Sequence, residues 1–299
     1  MNLPTTGPVR LRTNLADYPV TLALKEGRVS TPLVDFAYCG PKTAHDGFKA
    51  MIRDHAFDAG ELAIITYLQA KSFGKPWALL PLPISGRFQH HCIGFNFEHG
   101  HLDPKDIEGR RVGVRSYTQT TGLWVRGILQ HEYGVDLNKV TWLTIDEAHL
   151  AEHKDPVNCE RLPKGSNLPQ MMLNGEIAAA ILGNDMPKDP RVRTLIPAAH
   201  GAAETWYRRE HVIPINHLFV VHQDLARQRP DVVREIFRVI TESRALAPDT
   251  ITAALPPLGL EANRKGLEMA IDWAYEQKII PQRLKVDDLF DDTTAALGA

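Results

Sequence analysis

Cysteine is scarce. Cys39, Cys92 and Cys159 are the only three in 299 residues, and none stands in a Cys-x-x-Cys spacing. That excludes a disulfide framework and leaves no zinc-ligand pattern, so reduced thiols and no metal are expected. An excess of charge of one sign is also missing. Lys and Arg number 34 against 36 Asp and Glu, for a formal net charge of −2. Such a balance offers no field that would gather nucleic acid or an anionic membrane, so an anionic ligand must be held by local cations and backbone donors. No apolar run approaches the roughly 20 residues that span a bilayer. The start, Met1 to Pro8 running into a strand-like Val9 to Arg12, has no basic segment, apolar stretch or cleavage signature. Export is therefore not expected, and a cytoplasmic location is. A Gly-x-Ser-x-Gly elbow, a Walker loop and a Gly-x-Gly-x-x-Gly turn are all absent, which removes the usual motifs of hydrolases, nucleotide-phosphate sites and dinucleotide sites. There is no internal repeat and no low-complexity run.

What is present is an ordinary globular composition, 43% hydrophobic and 23% charged, in a chain long enough for two medium cores. Short apolar or β-branched runs alternate with amphipathic segments, the pattern of a mainly parallel sheet covered by helices. The fold class is α/β. Strands are expected at 9–13, 34–39, 61–65, 111–114, 140–145, 177–182 and 192–196, and helices at 19–27, 45–55, 67–73, 118–133 and 168–174. The run Asn216 to Val221 reads as a strand returning to the first lobe, and two helical tail segments, around Val232 to Ile240 and Leu267 to Ala274, are expected to pack on that lobe. The organisation that follows is a first lobe of residues 1–92 and 215–299 and an inserted second lobe of 93–214. Two crossover strands, near 91–98 and 210–218, imply a hinge and a central cleft.

Three constellations carry chemistry. In the stretch Arg110 to Trp124 a strand ends in a cation, Arg115, and a helix opens after Ser116, Tyr117, Thr118, Gln119, Thr120 and Thr121. Backbone donors at a helix start, hydroxyls and a guanidinium make an anion site, although hydroxyl residues also serve as plain helix caps. In Ser85-Gly86-Arg87-Phe88-Gln89-His90-His91 a hinge strand brings Arg87, suited to a carboxylate, beside two histidines able to move a proton near neutral pH. Neighbouring strand residues point to opposite faces, so one histidine at most faces the cleft. In Glu61 to Tyr67 a strand end meets a helix start, where ligands of α/β sheets gather. There Thr66 and Tyr67 would face Thr118 to Thr121, or Glu61 is a paired acid and Thr66 a cap. His149, Asp185 and His217 each lie near an expected strand end or crossing. His99 and His101 read as a solvated loop without the third ligand a metal site needs.

The runs Phe57-Asp58-Ala59-Gly60-Glu61-Leu62-Ala63-Ile64, Gly86-Arg87-Phe88-Gln89-His90, Gly109 to Gly122 and Trp124-Val125-Arg126-Gly127-Ile128-Leu129 resemble the 4,5-dihydroxyphthalate decarboxylases, over residues 9 to 245. Tyr117-Thr118-Gln119-Thr120-Thr121-Gly122 is the most specific part. The resemblance implies a type II periplasmic-binding-protein-like fold used as an enzyme. It also implies an aromatic dicarboxylate substrate with ring hydroxyls, loss of CO2 to give a dihydroxybenzoate, and no organic cofactor. His90 would then supply the proton, with His91 in reserve. Strict strand alternation instead favours His91, which shares a face with Arg87. Arg115 and residues 118–121 would grip the retained carboxylate, Arg87 would align the reacting one, and Glu61 would orient a ring hydroxyl. Tyr117, Thr66, Tyr67, Asp185 and His217 complete the expected substrate-binding set. Two other readings share the cleft. One is a solute-binding protein for an aromatic or pyrimidine ligand without turnover, and the other a cytoplasmic biosynthetic enzyme acting on a different carboxylate. Neither nucleic acid nor membrane is an expected partner, and homo-oligomerisation stays open.

Overall fold

A computed structural model of the chain describes residues 3 to 298. Met1, Asn2 and Ala299, which the sequence reading assigned to the first lobe, lie outside the described residues. The first part alternates strand and helix: β1 Val9–Asn14, α1 Pro19–Lys25, β2 Val34–Tyr38, α2 Phe48–Asp54, β3 Ala59–Ala63, α3 Ile64–Ser72 and β4 Trp77–Gly86. The middle part comprises β5 Ile93–Asn96, β6 Arg111–Val114, α4 Thr120–Tyr133, β7 Thr141–Thr144, β8 Cys159–Arg161, α5 Leu168–Leu173, β9 Ala179–Ile181, β10 Val192–Thr194 and α6 Ala199–Glu210. The last part holds β11 Ile215–His222, α7 Gln223–Gln228, α8 Pro230–Ala245, α9 Asp249–Thr252 and α10 Leu260–Glu276.

These strands form two sheets, one ordered β2-β1-β3-β11-β4 and the other β10-β5-β9-β6-β7-β8. The chain leaves the first sheet after Gly86 and re-enters it at Ile215. Within the first sheet β1 pairs in parallel with β2 and β3, and in the second β6 pairs in parallel with β7 and β9. Their carboxyl ends are where an α/β sheet gathers its ligand, and the loops following them meet at one cleft. The returning β11 runs antiparallel between β3 and β4. Its Leu218, Phe219, Val220 and Val221 are buried, as expected of a central strand covered on both faces. No loop separates β3 from α3: Ala63 keeps an extended backbone and Ile64 is already helical, so the first turn of α3 stands at the strand end.

Helices α1 and α8 cover one face of the first sheet, and α5 covers one face of the second. Between the sheets lies a shared apolar layer built from α3, α4 and α10. The position of α10 differs from the expectation that the tail packs on the first lobe. Its Leu267, Ala270, Ile271 and Ala274 are buried, but the helix lies against both α3 and α4, and Trp273 meets Trp124 edge-on at 5.4 Å between ring centroids. Gly127 permits this approach, because a Cβ there would fall inside the Trp273 ring. Just beyond α10, the Gln277 side chain accepts from Arg126 Nε at 2.8 Å and donates to Leu123 O at 3.0 Å. On the other side of the molecule the loop after β7 reaches the first sheet. Arg53 donates to the carbonyls of Ala148 and His149 at 2.8 and 2.7 Å, Lys49 pairs with Glu147 at 2.8 Å, and Lys75 pairs with Glu152 at 2.5 Å. Among the described residues no helix is long and apolar enough to cross a membrane.

The tight α4–α10 contact makes Gly127→Ala an overpacking substitution. It should lower unfolding free energy by about 1–3 kcal/mol, measured by urea denaturation. Unchanged stability would show that Trp273 moves aside without loss.

Candidate functional site

The cleft between the sheets has a volume of about 400 Å³. From the first sheet it receives Tyr18, Thr43, His45 and Phe48 from loops and helix starts after β1 and β2, Ala63 at the end of β3, and Ser85 to Arg87 from the end of β4. From the second it receives Arg115 and residues 118–121 after β6, His149 after β7, and residues 182–185 after β9. Asn216 and His217 enter from β11.

The start of α4 faces the cleft. Gln119 occupies the N-cap position without making a side-chain cap, so the first-turn N–H groups lack both helical and capping partners. Thr120 Oγ1 and Gln119 Oε1 are buried without a hydrogen-bond partner, as are Arg87 Nε and Arg115 Nε. Burying such groups unpaired costs about 1–3 kcal/mol each, so four around one cleft mark a place that a ligand completes. Arg115 has one weak counter-charge, Asp146 at 3.7 Å, and Arg87 donates to the Asn184 side chain. The acid lining the cleft, Asp185, is exposed.

At the first-sheet side lies a buried carboxylate. Glu61 is fully buried and accepts from Ala16 N–H at 2.8 Å, Tyr18 hydroxyl at 3.1 Å and His217 Nδ1 at 2.7 Å. An ionised carboxylate has the acceptor capacity for all three. With Nδ1–H given to Glu61, His217 has Nε2 available to the cleft it lines, the arrangement by which a carboxylate fixes tautomer and ring orientation for proton transfer. Burial and the Glu61 charge raise the Tyr18 phenol, keeping it a neutral donor. The Phe48 ring stands edge-on to His217 at 5.1 Å and to His149 at 5.7 Å, an apolar wall beside both imidazoles. His149 Nδ1 lies 2.7 Å from Thr66 Oγ1. Burial, and then the nearby Arg115 and Lys49 charges, lower the His149 imidazole to about 3. His45 is lowered as well, by burial first and Arg115 next.

The structure relocates several residues singled out in the sequence. His90 is a correction: it forms a 3-10 turn with His91 and Cys92, is 1% exposed and packs on Trp206 at 5.8 Å, away from the cleft lining. Burial lowers it to about 4, so at neutral pH it is the neutral imidazole and not an imidazolium acid. His91 stacks on His200 at 5.9 Å, also off the cleft. The strand-alternation argument for these two fails because residues 90–92 are not extended. Tyr67 is fully buried and donates to Leu289 O on the far side of α3. Tyr117 donates to Gln277 O at 3.1 Å beneath the Arg126 guanidinium, so neither tyrosine faces the cleft. Thr66 reaches it through His149. Arg87, Arg115, Thr118, Gln119, Thr120, Thr121, Asp185 and His217 all line it, and Glu61 stands behind His217. Sequence reasoning missed Tyr18, Thr43, His45, Phe48, Asn184 and Asn216. The rule that ligands sit after parallel strands, applied to β1 and β2, points to the first four.

The two sheets joined by two crossings define a two-lobed, type II periplasmic-binding-protein-like chain. Two solved structures share this fold. The alkanesulfonate-binding protein SsuA from Xanthomonas axonopodis pv. citri, bound to MOPS, has a TM-score of 0.63 at 14% identity and covers 96% of this chain and 99% of its own. The periplasmic aliphatic sulphonate binding protein SsuA from Escherichia coli has a TM-score of 0.60 at 13% identity, with 95% and 97% covered. In sequence the chain is similar to two 4,5-dihydroxyphthalate decarboxylases. That of Comamonas testosteroni is 26% identical over 258 residues, covering 80% of this chain and 76% of that one. That of Pseudomonas putida is 29% identical over 198 residues, covering 62% and 76%. No family model matches the chain.

Two outcomes follow. Arg115→Ala should weaken aromatic carboxylate binding by about 1.5–3 kcal/mol, the worth of a charge-assisted hydrogen bond; calorimetry showing unchanged affinity for every carboxylate tried would make Arg115 a bystander. His90 has its folded value near 4 against an ordinary 6.5. Its contribution to stability is therefore complete above pH 6.5 and is lost as pH falls toward 4, because the unfolded chain takes the proton first. His90→Phe, which keeps a ring against Trp206, should flatten that acid limb by up to ~1.4 kcal/mol per pH unit. An unaltered slope would place the proton uptake elsewhere.

Proposed function

We propose that the chain is a carboxy-lyase that decarboxylates a hydroxylated aromatic dicarboxylate, with 4,5-dihydroxyphthalate to protocatechuate as the reaction to test and the cytoplasm as its place of action. The observation that carries this reading is the pairing, in one cleft, of an unfilled anion site at the start of α4 with a histidine oriented by a buried carboxylate. The similarity to named decarboxylases supports it.

One carboxylate of the ring is retained. It lies against Arg115, Thr120 Oγ1 and the first-turn N–H groups of α4, which satisfies the unpaired donors there. The leaving carboxylate is directed toward the Phe48 and Ala63 wall. A salt bridge to that group would stabilise the ground state against CO2 loss, so Arg87 is reserved for the retained carboxylate or a ring oxygen. A hydroxyl para to the leaving carboxylate pushes electron density to the ipso carbon, which takes the Nε2 proton of His217 in its doubly protonated imidazolium form, leaving the ring neutral with Nδ1–H still on Glu61. The C–C bond then breaks, its electron pair restores the aromatic ring, and CO2 departs. Glu61 keeps Nδ1–H in place throughout as a positioning residue, and His217 regains its proton from solvent. His149, neutral at working pH, offers a hydrogen bond to a ring hydroxyl without competing as an acid. His217 thereby takes the role that the sequence reading gave to His90.

Purified protein incubated with 4,5-dihydroxyphthalate should release CO2 and a dihydroxybenzoate. His217→Asn should lose about 10² to 10⁴ in rate while still binding the dicarboxylate, and His90→Phe should keep its rate within a few-fold. Tight binding with no CO2 from wild-type protein would instead favour a solute-binding role in the same cleft.

A further inference from the structure

The cleft does not end at Arg115. A second chamber of about 300 Å³ opens beyond it, and Arg115, Gln119, Leu182 and Asp185 belong to the walls of both. The outer chamber differs in chemistry from the cleft. Ile145, Leu168, Pro169, Ile181 and Leu182 give it apolar walls, closed on one side by the loop that carries Ser166. Leu168 and Leu182 are buried in the small core beneath α5 and Ile181 in the apolar layer between the sheets, so this wall is fixed by packing. At the doorway stands Arg115 Nε, a buried donor without a hydrogen-bond partner. A carboxylate held there has the catalytic cleft on one side and an apolar space on the other.

We infer that the chamber is a specificity subsite for an apolar ring or alkyl substituent placed next to the retained carboxylate. The enzyme then takes ring-extended hydroxyaryl carboxylates as well as a single-ring dicarboxylate, which fills the cleft and leaves the chamber empty. The inference rests on the proposed carboxylate grip at Arg115 and α4, and adds which neighbouring position of the ring is open to growth. Asp185 at the doorway selects against a second carboxylate on that substituent by like-charge repulsion.

The test is binding, measured by calorimetry with non-hydroxylated ligands, so that it does not depend on turnover. Phthalate, naphthalene-1,2-dicarboxylate and naphthalene-2,3-dicarboxylate differ only in where a second ring is fused. The 1,2-isomer puts that ring beside a carboxylate and should bind about tenfold tighter than phthalate, the gain expected from burying part of one ring. The 2,3-isomer puts it opposite both carboxylates and should show no such gain. Ser166→Phe, which narrows the chamber from its loop side, should abolish the advantage of the 1,2-isomer and leave phthalate within twofold. Equal or weaker binding of the 1,2-isomer, with phthalate bound normally, overturns the subsite alone. Failure of all three to bind would overturn the carboxylate grip and the subsite with it. Ile145→Trp fills the same space from the opposite wall and repeats the test if Ser166→Phe does not fold.

Discussion

The buried Glu61 carboxylate is the constraint on which the site depends. It collects donors from two separate stretches of chain, the turn after β1 through Ala16 and Tyr18 and the return strand β11 through His217. A carboxylate without solvent is tolerable only when its lone pairs are taken up. Satisfying Glu61 therefore fixes where β11 lies beside β3, with Phe219 opposite Glu61 and His217 opposite Ala63. The same bond that settles the register orients the His217 imidazole, which lines the cleft. Tyr18 and the Ala16 amide brace the carboxylate from behind and leave one orientation for the ring.

Two cations stand in the cleft, one from each sheet's side. Globally the chain is close to neutral, yet Arg87 and Arg115 enter the cleft with little counter-charge. The neighbouring histidines register this field: after burial, Arg115 is the next largest influence lowering both His45 and His149. A cleft that keeps those two imidazoles neutral is one that welcomes an anion. His217 differs from them in bonding the buried Glu61 carboxylate, whereas His45 pairs with the exposed Asp46 and His149 with the Thr66 hydroxyl. The lobes that carry the two walls are joined by the apolar layer around α10 and by the latch of Arg53, Lys49 and Lys75 on the loop after β7. His149 sits on that latch, so the loop that ties the lobes together also completes the cleft.

The α/β class, most strand positions and the cleft-lining residues of the 115–121 stretch were legible because periodicity and the strand-to-helix transition are local. Arg115, Thr118, Gln119, Thr120 and Thr121 follow from one contiguous run. His217 and Glu61 were each legible as candidates, but not as a pair, because 156 residues separate them and only the β3–β11 pairing brings them together. His90 misled because its surroundings look strand-like in sequence, whereas the 3-10 turn at 90–92 draws it under Trp206. Tyr67 and Tyr117 were misplaced for a related reason: both are amphipathic, and each spends its hydroxyl on a backbone carbonyl of the tail, a partner no local pattern reveals. The place of α10 against both α3 and α4 was likewise hidden, since an amphipathic face does not say which surface it will cover.

The central claim is geometric, that one ring spans from the α4 anion site to the His217 imidazole. A crystal structure with bound phthalate, which lacks the activating hydroxyls, tests it most directly. The account predicts one carboxylate within hydrogen-bond distance of Arg115 and Thr120, and the ring carbon bearing the other about 3–3.5 Å from His217 Nε2. Phthalate bound with neither carboxylate at the start of α4, or with its ring turned away from His217, would contradict it.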